Sequence, residues 1–249
     1  MNLYEYEAKR IFAEGGINVP PSQRITKPEE LAKIHFGYPL TLKCQVLAGG
    51  RGKAGGIKFA KDLKDGMALA KDMLKLSIKD SKTESLLVEP KMSIARELYL
   101  AVTLDRDRGC PIFIASAEGG IEIESSSNVL TEPIPHPYQP FVGRNLAQKL
   151  GLKGAVLNKV ADIANKLYKI FESKDLDLAE INPLVITEGD DVVALDGKII
   201  INDDAVDRQP QFRGWEEAHL CDLSVRERNA KMTGLNLVEL DRSEEHTSE

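Results

Sequence analysis

Residues 42–60 read LKCQVLAGGRGKAGGIKFA. Five glycines occupy the eight positions 49–56, with Arg51 and Lys53 between them and Lys43 and Lys58 on either side. Lacking a Cβ, glycine lets the backbone come close to an anion and turn its N–H groups towards it. The interleaved cations then neutralise the anion's oxygens. By composition this is a phosphate cradle; a plain surface hairpin has no need of cations spaced among its glycines. It is not a Walker A loop, because Ala54 follows Lys53 where a Ser or Thr must hold the metal. Gly50, Gly52 and Gly55 satisfy G-x-G-x-x-G, but a dinucleotide fingerprint opens at once into a helix. Here residues 57–60 alternate as a strand, and 39–46 read as a strand before them. The loop is expected to join two strands as a hairpin lid.

Outward from the lid, residues 2–14 pattern as an amphipathic helix with Leu3, Tyr4, Ala8, Ile11 and Phe12 on one face, stopped by Gly15 and Gly16. Thr26 precedes KPEELAKI as a helix cap. Residues 61–78 form a helix with Leu63, Met67, Ala70 and Leu74 at helical spacing. Strands are expected at 86–89, 97–104, 111–117 and 121–124, separated by turns at 105–109 and 118–120. Residues 128–140 hold four prolines and read as a long surface loop. Helices follow near 143–151 and at 154–173, the latter with Val160, Ile163, Leu167 and Ile170 in phase. Residues 205–241 are polar and poorly periodic. Strands and helices mix without βαβ alternation, so the fold class is α+β.

The 249 residues carry 33 Lys and Arg against 39 Asp and Glu, a formal net charge of -6 that argues against a nucleic-acid coat. No apolar run reaches the roughly 18 residues of a membrane span. Cys44, Cys110 and Cys221 lie far apart, with no C-x-x-C pair, and are expected as free thiols in a reducing compartment. The N-terminal MNLYEYEAKRIF carries Glu5 and Glu7, which secretory and mitochondrial presequences avoid, so it is read as part of the fold.

A second chemical feature lies at 178–201, which reads as a β-hairpin. A turn symmetric about Gly189 pairs residues whose numbers sum to 378, setting Asn182 opposite Asp196 and Glu180 opposite Lys198. Side-chain alternation places these four on one face, and Ile181, Pro183, Val185, Val193 and Leu195 on the other, core-facing side. A carboxylate and an amide oxygen on one face suit magnesium, which shares its oxygen ligands with nucleotide phosphates. Pro183 inside a strand points to an edge or a kink.

The stretches MNLYEYEAKRIF, LKCQVLAGGRGKAGG, ASAEGGIEIE and EINPLVI…ALDGK, in this order, resemble the β subunit of succinate–CoA ligase. The resemblance implies an ATP-grasp fold, two α+β lobes clasping a nucleotide. It implies a larger lobe from 1–20 plus 93–229, and a smaller lobe at 21–92 carrying the glycine loop. The start of a C-terminal CoA-ligase-type domain is expected at 230–249, where the chain is expected to be a truncated fragment with an artefactual tail at 242–249.

Position by position, the resemblance implies that Lys43 reaches the nucleotide phosphates and that Gly50, Arg51 and Gly52 form the phosphate-loop triplet. Glu89 matches a hinge acid on the base and ribose side, Met92 a backbone contact, and Glu97 a nucleotide-site glutamate. Asn182 and Asp196 match the magnesium ligands. The implied reaction is reversible: succinate, CoA and ATP (or GTP) give succinyl-CoA, ADP (or GDP) and phosphate, a step of the tricarboxylic acid cycle. Phosphate passes through a histidine of the partner α subunit in a heterodimer or heterotetramer. The chain therefore supplies no catalytic residue of its own; His35, His136, His219 and His246 all lie outside any phosphate-loop context. A cytoplasmic, bacterial-type location is expected rather than a mitochondrial one. The alternatives are a related acid–CoA ligase, such as one acting on malate, or a non-catalytic fragment that binds an α-type partner.

Overall fold

The computed structural model describes residues 1–47, 50–79, 81–120, 128–212, 214–215, 219, 225–233, 235 and 237. The chain divides into two compact units, 1–205 and 206–249. In the first, α1 (Glu5–Glu14) is followed by β1 (Gln23–Ile25), β2 (Leu40–Cys44), β3 (Ile57–Ala60), α2 (Leu63–Met73), β4 (Ser77–Ile78), β5 (Ser81–Lys82), β6 (Leu86–Pro90), β7 (Ile94–Asp105), β8 (Cys110–Ser116) and β9 (Val129–Pro133). Then come α3 (Phe141–Lys149), α4 (Gly154–Ser173), β10 (Leu176–Thr187), β11 (Val192–Ala194) and β12 (Gly197–Ile201). The second unit contains α5 (Val225–Met232). Among the described residues no helix is long and apolar enough to cross a membrane.

Two sheets organise the first unit. One has four strands in the order β1-β6-β2-β3, and the other six, in the order β11-β10-β7-β8-β9 with β12 also on β10. All pairings are antiparallel, β2 and β3 forming the expected hairpin with Leu40 opposite Ala60 and Lys43 opposite Ile57. Every residue of β2, LTLKC, is buried. Period two divides it: Leu40, Leu42 and Cys44 join a core with Ala70, Met73 and Leu86, while Thr41 and Lys43 face the opposite way. The glycine lid closes where Cys44 N–H donates to the Gly56 carbonyl at 2.8 Å. A Cβ at Gly56 would stand 2.7 Å from Ile78 and 3.1 Å from the Arg51 carbonyl, so only glycine fits there. On the larger sheet, α4 packs on β10 and β7, and α1 on β12 and α4.

Four local expectations change. Residues 28–33 form a 3-10 helix, not an α-helix, and its capping group is not Thr26 but Glu30, whose carboxylate accepts the Thr26 N–H at 2.7 Å. The 61–78 helix ends at Met73, Asp62 capping its start, because residues 77–78 pair with 81–82 instead. Leu63 is exposed, and the buried face is Gly66, Ala70 and Met73. Residues 129–133 leave the proline-rich loop and pair with β8. Pro133 is tolerated because β9 is the last strand of its sheet. Cys44 and Cys110 are free thiols. The expected strand at 121–124, Cys221, His246 and the 242–249 tail lie outside the described residues.

Candidate functional site

The expected hairpin register holds along its length. Leu184 pairs with Ala194, Val185 with Val193 and Ile186 with Val192, and Glu180 pairs with Lys198 and Ala179 with Ile199. Asn182 N–H donates to the Asp196 carbonyl at 3.3 Å, completing the rung between them. The expected facing differs at the kink. Against β7 the register of β10 shifts between Ile181 and Leu184, a bulge that turns Pro183 out of the core. Pro183 and Leu195 line the cleft instead of facing inward, while Ile181, Val185 and Val193 are buried as expected.

That cleft has two adjoining parts. A cavity of about 760 Å³ is walled by Thr41, Lys43, Ile57 and Phe59 of the four-stranded sheet, by Met92, by Glu97 of the six-stranded one, and by Leu195 and Asp196 of the connection between β11 and β12. A smaller cavity, about 230 Å³, is lined by Gly50, Arg51, Gly52 and Lys53 of the lid and by Asn182 and Asp196. Gly52, Ile57, Gly120, Pro183 and Asp196 belong to both. The lid and the Asn182/Asp196 rung, 126 residues or more apart in sequence, therefore share one cleft.

Its charged floor comes from α1. Glu5, with its side chain 1% exposed, accepts a hydrogen bond from Lys43 at 2.8 Å on Oε1, and the same oxygen forms an ion pair with Lys9 at 3.0 Å. On Oε2 it accepts from Arg51 at 2.7 Å and Gln45 at 3.3 Å. Glu89 is fully buried beneath them, paired with Lys9 and with Lys43 at 3.0 Å. Lys43 also donates to the Leu195 carbonyl at 2.6 Å. Arg51 completes the chain of charges by a two-toothed pair with Asp196, 2.7 and 2.6 Å. Asn182 Oδ1 accepts the Gly120 N–H at 2.7 Å. Gly120 takes φ +76°, and a Cβ there would collide with the Glu97 carboxylate.

The electrostatics follow from this crowding. Burial pushes the Glu5 carboxyl up, but Lys43, Lys9 and Arg51 together outweigh it and hold the group well below the usual carboxylate range. Burial and the Lys43 ammonium pull Lys9 below its ordinary value, against Glu5, Glu89 and Asp196. Burial works against the Lys43 and Arg51 charges too, yet for Lys43 the carboxylates of Glu5, Glu89 and Asp196, and for Arg51 those of Asp196 and Glu5, raise both above their ordinary values. Burial raises the Glu180 carboxyl, a hydrogen bond from Tyr99 at 3.0 Å working against it.

Because the Glu5 value is depressed in the fold, its stabilisation is complete above the unfolded carboxylate value of about 4.3 and is lost as pH falls below it towards the lowered folded value. Denaturant melts of the wild type are therefore expected to weaken between about pH 4 and pH 2. Melts of Glu5→Gln should weaken less over the same interval. Equal slopes would show that Glu5 carries no such linkage.

Of the nine positions singled out in the sequence, Lys43, Gly50, Arg51, Gly52, Met92, Glu97, Asn182 and Asp196 line the cleft. Glu89 is not among the residues that line it: it stands opposite Thr41 on the cleft-facing side of its sheet, but under Lys9 and Lys43, with which it pairs. Glu5, Lys9, Gln45 and the 118–120 turn were missed. A signal for the first two existed, an acid and a base at i and i+4 on the same side of α1 as Ala8 and Phe12. Among the described residues no three His, Cys, Asp or Glu side chains gather as a metal-binding group. Magnesium does not require one, since it keeps waters and phosphate oxygens and takes one or two protein ligands. The hard oxygens of Asp196 and Asn182, on one rung at the cleft wall, fit that ion once Arg51 releases the carboxylate.

Residues 2–186 match the family described as ATP-grasp domain. The chain belongs to the ATP-grasp family. Among solved structures, this ATP-grasp chain is similar to PH1788 of Pyrococcus horikoshii, with a TM-score of 0.67 and 25% identity over 81% of this chain and 92% of that one. It also matches a dinucleotide-forming acetyl-coenzyme A synthetase of Candidatus Korarchaeum cryptofilum, at a TM-score of 0.67 and 18% identity over 81% and 93%, a likeness of fold alone. Among curated proteins it is 41% identical over 250 residues to a succinate–CoA ligase [ADP-forming] subunit beta of Ignicoccus hospitalis, covering 97% of this chain and 65% of that one. The protein of the same description from Methanocaldococcus jannaschii is 40% identical over 87% and 61%, and that from Proteus mirabilis 40% identical over 97% and 66%. The ATP-grasp chain thus spans about two thirds of the length of these relatives.

Proposed function

We propose that this chain is the nucleotide-binding part of a succinate–CoA ligase β subunit. The observation that carries the reading is the shared cleft, in which a glycine lid bearing Arg51 and Lys53 faces an Asn182/Asp196 rung across Lys43. The smaller ATP-grasp lobe is assigned to 21–92 and the larger to 1–20 plus 93–229. The apolar side of the larger cavity, Ile57, Phe59, Met92, Ile94 and Leu195, takes the base of ATP or GTP. The phosphates run towards Lys43, Arg51 and the lid's backbone amides, and Asn182 and Asp196 hold magnesium. When bound, that ion supplies neutralisation of charge on the phosphate oxygens.

The rest of the work is positioning and electrostatics, which dominate phosphoryl transfer. Lys43, kept protonated by Glu5 and Glu89, presents a fixed charge whatever the pH of the cell. Arg51 offers a planar fork suited to phosphate oxygens. The chemistry proposed for the whole enzyme is the reversible formation of succinyl-CoA and ADP (or GDP). Its phosphate carrier is a histidine of an α subunit, in a cytoplasmic heteromer.

Calorimetric titration of the chain with ADP tests this reading. Binding is expected with magnesium present, to weaken by about tenfold or more under a chelator, and to weaken similarly in Lys43→Ala, a charged hydrogen bond to phosphate being worth about 1.5–3 kcal/mol. Affinity indifferent to both changes would overturn it. Co-expression with an α-type partner, followed by an assay of CoA- and succinate-dependent ADP release, tests the ligase activity itself.

A further inference from the structure

The floor of the smaller cavity carries a carboxylate where an anion is to bind. Coulomb's law alone makes Glu5 an obstacle, since it repels phosphate and competes for the same cations. Its geometry says otherwise. Glu5 sits on α1, which packs on β12 and α4 of the larger sheet. Its two nearest cleft cations belong to the opposite wall: Lys43 to β2, and Arg51 to the lid between β2 and β3. Each is bound by a different oxygen, Lys43 by Oε1 at 2.8 Å and Arg51 by Oε2 at 2.7 Å. One rigid carboxylate thus sets the spacing of the two side chains and ties the lid hairpin to the other sheet. Lys9 and Gln45 fix the carboxylate in turn, and its side chain is only 1% exposed.

Resting on the nucleotide reading above, we propose that Glu5 is a positioning residue for phosphate recognition: a buried tether that pre-sets Lys43 and Arg51 for the nucleotide's phosphates. It touches neither phosphate nor metal, and acts through those two cations. A long lysine and an arginine, left unheld, lose side-chain entropy when they bind; held by Glu5, they have already lost it.

The sign of one substitution separates this role from simple electrostatics. Glu5→Gln removes a negative charge from the phosphate site at nearly constant volume. A purely electrostatic role predicts tighter binding of Mg·ADP. The tether predicts weaker binding, by about tenfold, the low end of what loss of a residue supporting a ligand-binding group costs. Adenosine has no phosphate, so its affinity, read by saturation-transfer NMR on the same proteins, is expected to be unchanged. Glu5→Asp keeps the charge but draws it back by one methylene, and is expected to lose Mg·ADP affinity as well. Unchanged or tighter Mg·ADP binding in Glu5→Gln would overturn the tether, and so would parallel losses for adenosine and Mg·ADP, which mark general damage to the fold. Failure of the wild type to bind Mg·ADP at all would instead sink the nucleotide reading on which the tether stands.

Discussion

Lys9→Met is expected to destabilise the chain by about 3–5 kcal/mol, the usual cost of removing one partner from a buried ionic cluster. Lys9 is among the largest fully buried side chains, and its ammonium bridges Glu5 and Glu89, both of them buried. In the resting cluster Lys9, Lys43 and Arg51 balance Glu5, Glu89 and Asp196 charge for charge. Methionine fills the volume but leaves three carboxylates, Glu5, Glu89 and Asp196, sharing one lysine and one arginine. A shift in urea midpoint with an unchanged slope measures the loss. Lys9→Met combined with Glu89→Gln restores the charge balance and is expected to recover part of it, giving a coupling energy well above the scatter of independent sites. Additive losses would mean that the cluster is not a unit.

Asp196→Asn is expected to weaken Mg·ADP binding by about a hundredfold, the upper end of the losses seen when even indirect supports of a metal are removed. Asp196 is the one carboxylate on the rung that faces the lid, and both of its oxygens are held by Arg51. On the proposed reading, nucleotide entry would exchange partners: Arg51 would turn from a carboxylate to a phosphate, and Asp196 from a guanidinium to the magnesium it would hold with Asn182. Each ends with a partner of the same sign as before, so no charge is left uncompensated. The check is a titration in which wild type and Asp196→Asn are compared with and without magnesium. The magnesium-dependent part of the affinity is expected to vanish in the variant, while the magnesium-free part survives. If magnesium still strengthens binding in Asp196→Asn, the metal is held elsewhere.

Much of this site is legible in the chain because it is written in local pattern. The lid at 49–56 declares itself through glycine density with interleaved cations. The 178–201 hairpin declares its register because a symmetric turn leaves a single pairing sum, which the strands keep from Ile186 back to Leu178. Lys43 is legible locally only as a cation flanking the lid, its phosphate role being implied by the family resemblance, and strand alternation in β2 carries it to the cleft face. Where the local reading failed, a neighbour in space had outvoted it. Pro183 and Leu195 alternate as core residues, but the bulge against β7 turns that part of the strand outward. Residues 129–133 look like a proline loop, and become a strand only because β8 offers an unpaired edge.

Periodicity, turn chemistry and composition determined the α+β class, the hairpin lid and the facing of Asn182 on Asp196, because each of these is a relation between residues close along the chain. Only the tertiary structure decided that Glu5 and Lys9 belong to the site, that Glu89 lies beneath it, and that Arg51 rests on a carboxylate 145 residues away. Charges attract without regard to sequence distance, and a buried carboxylate takes whichever cations the packed sheets bring within reach.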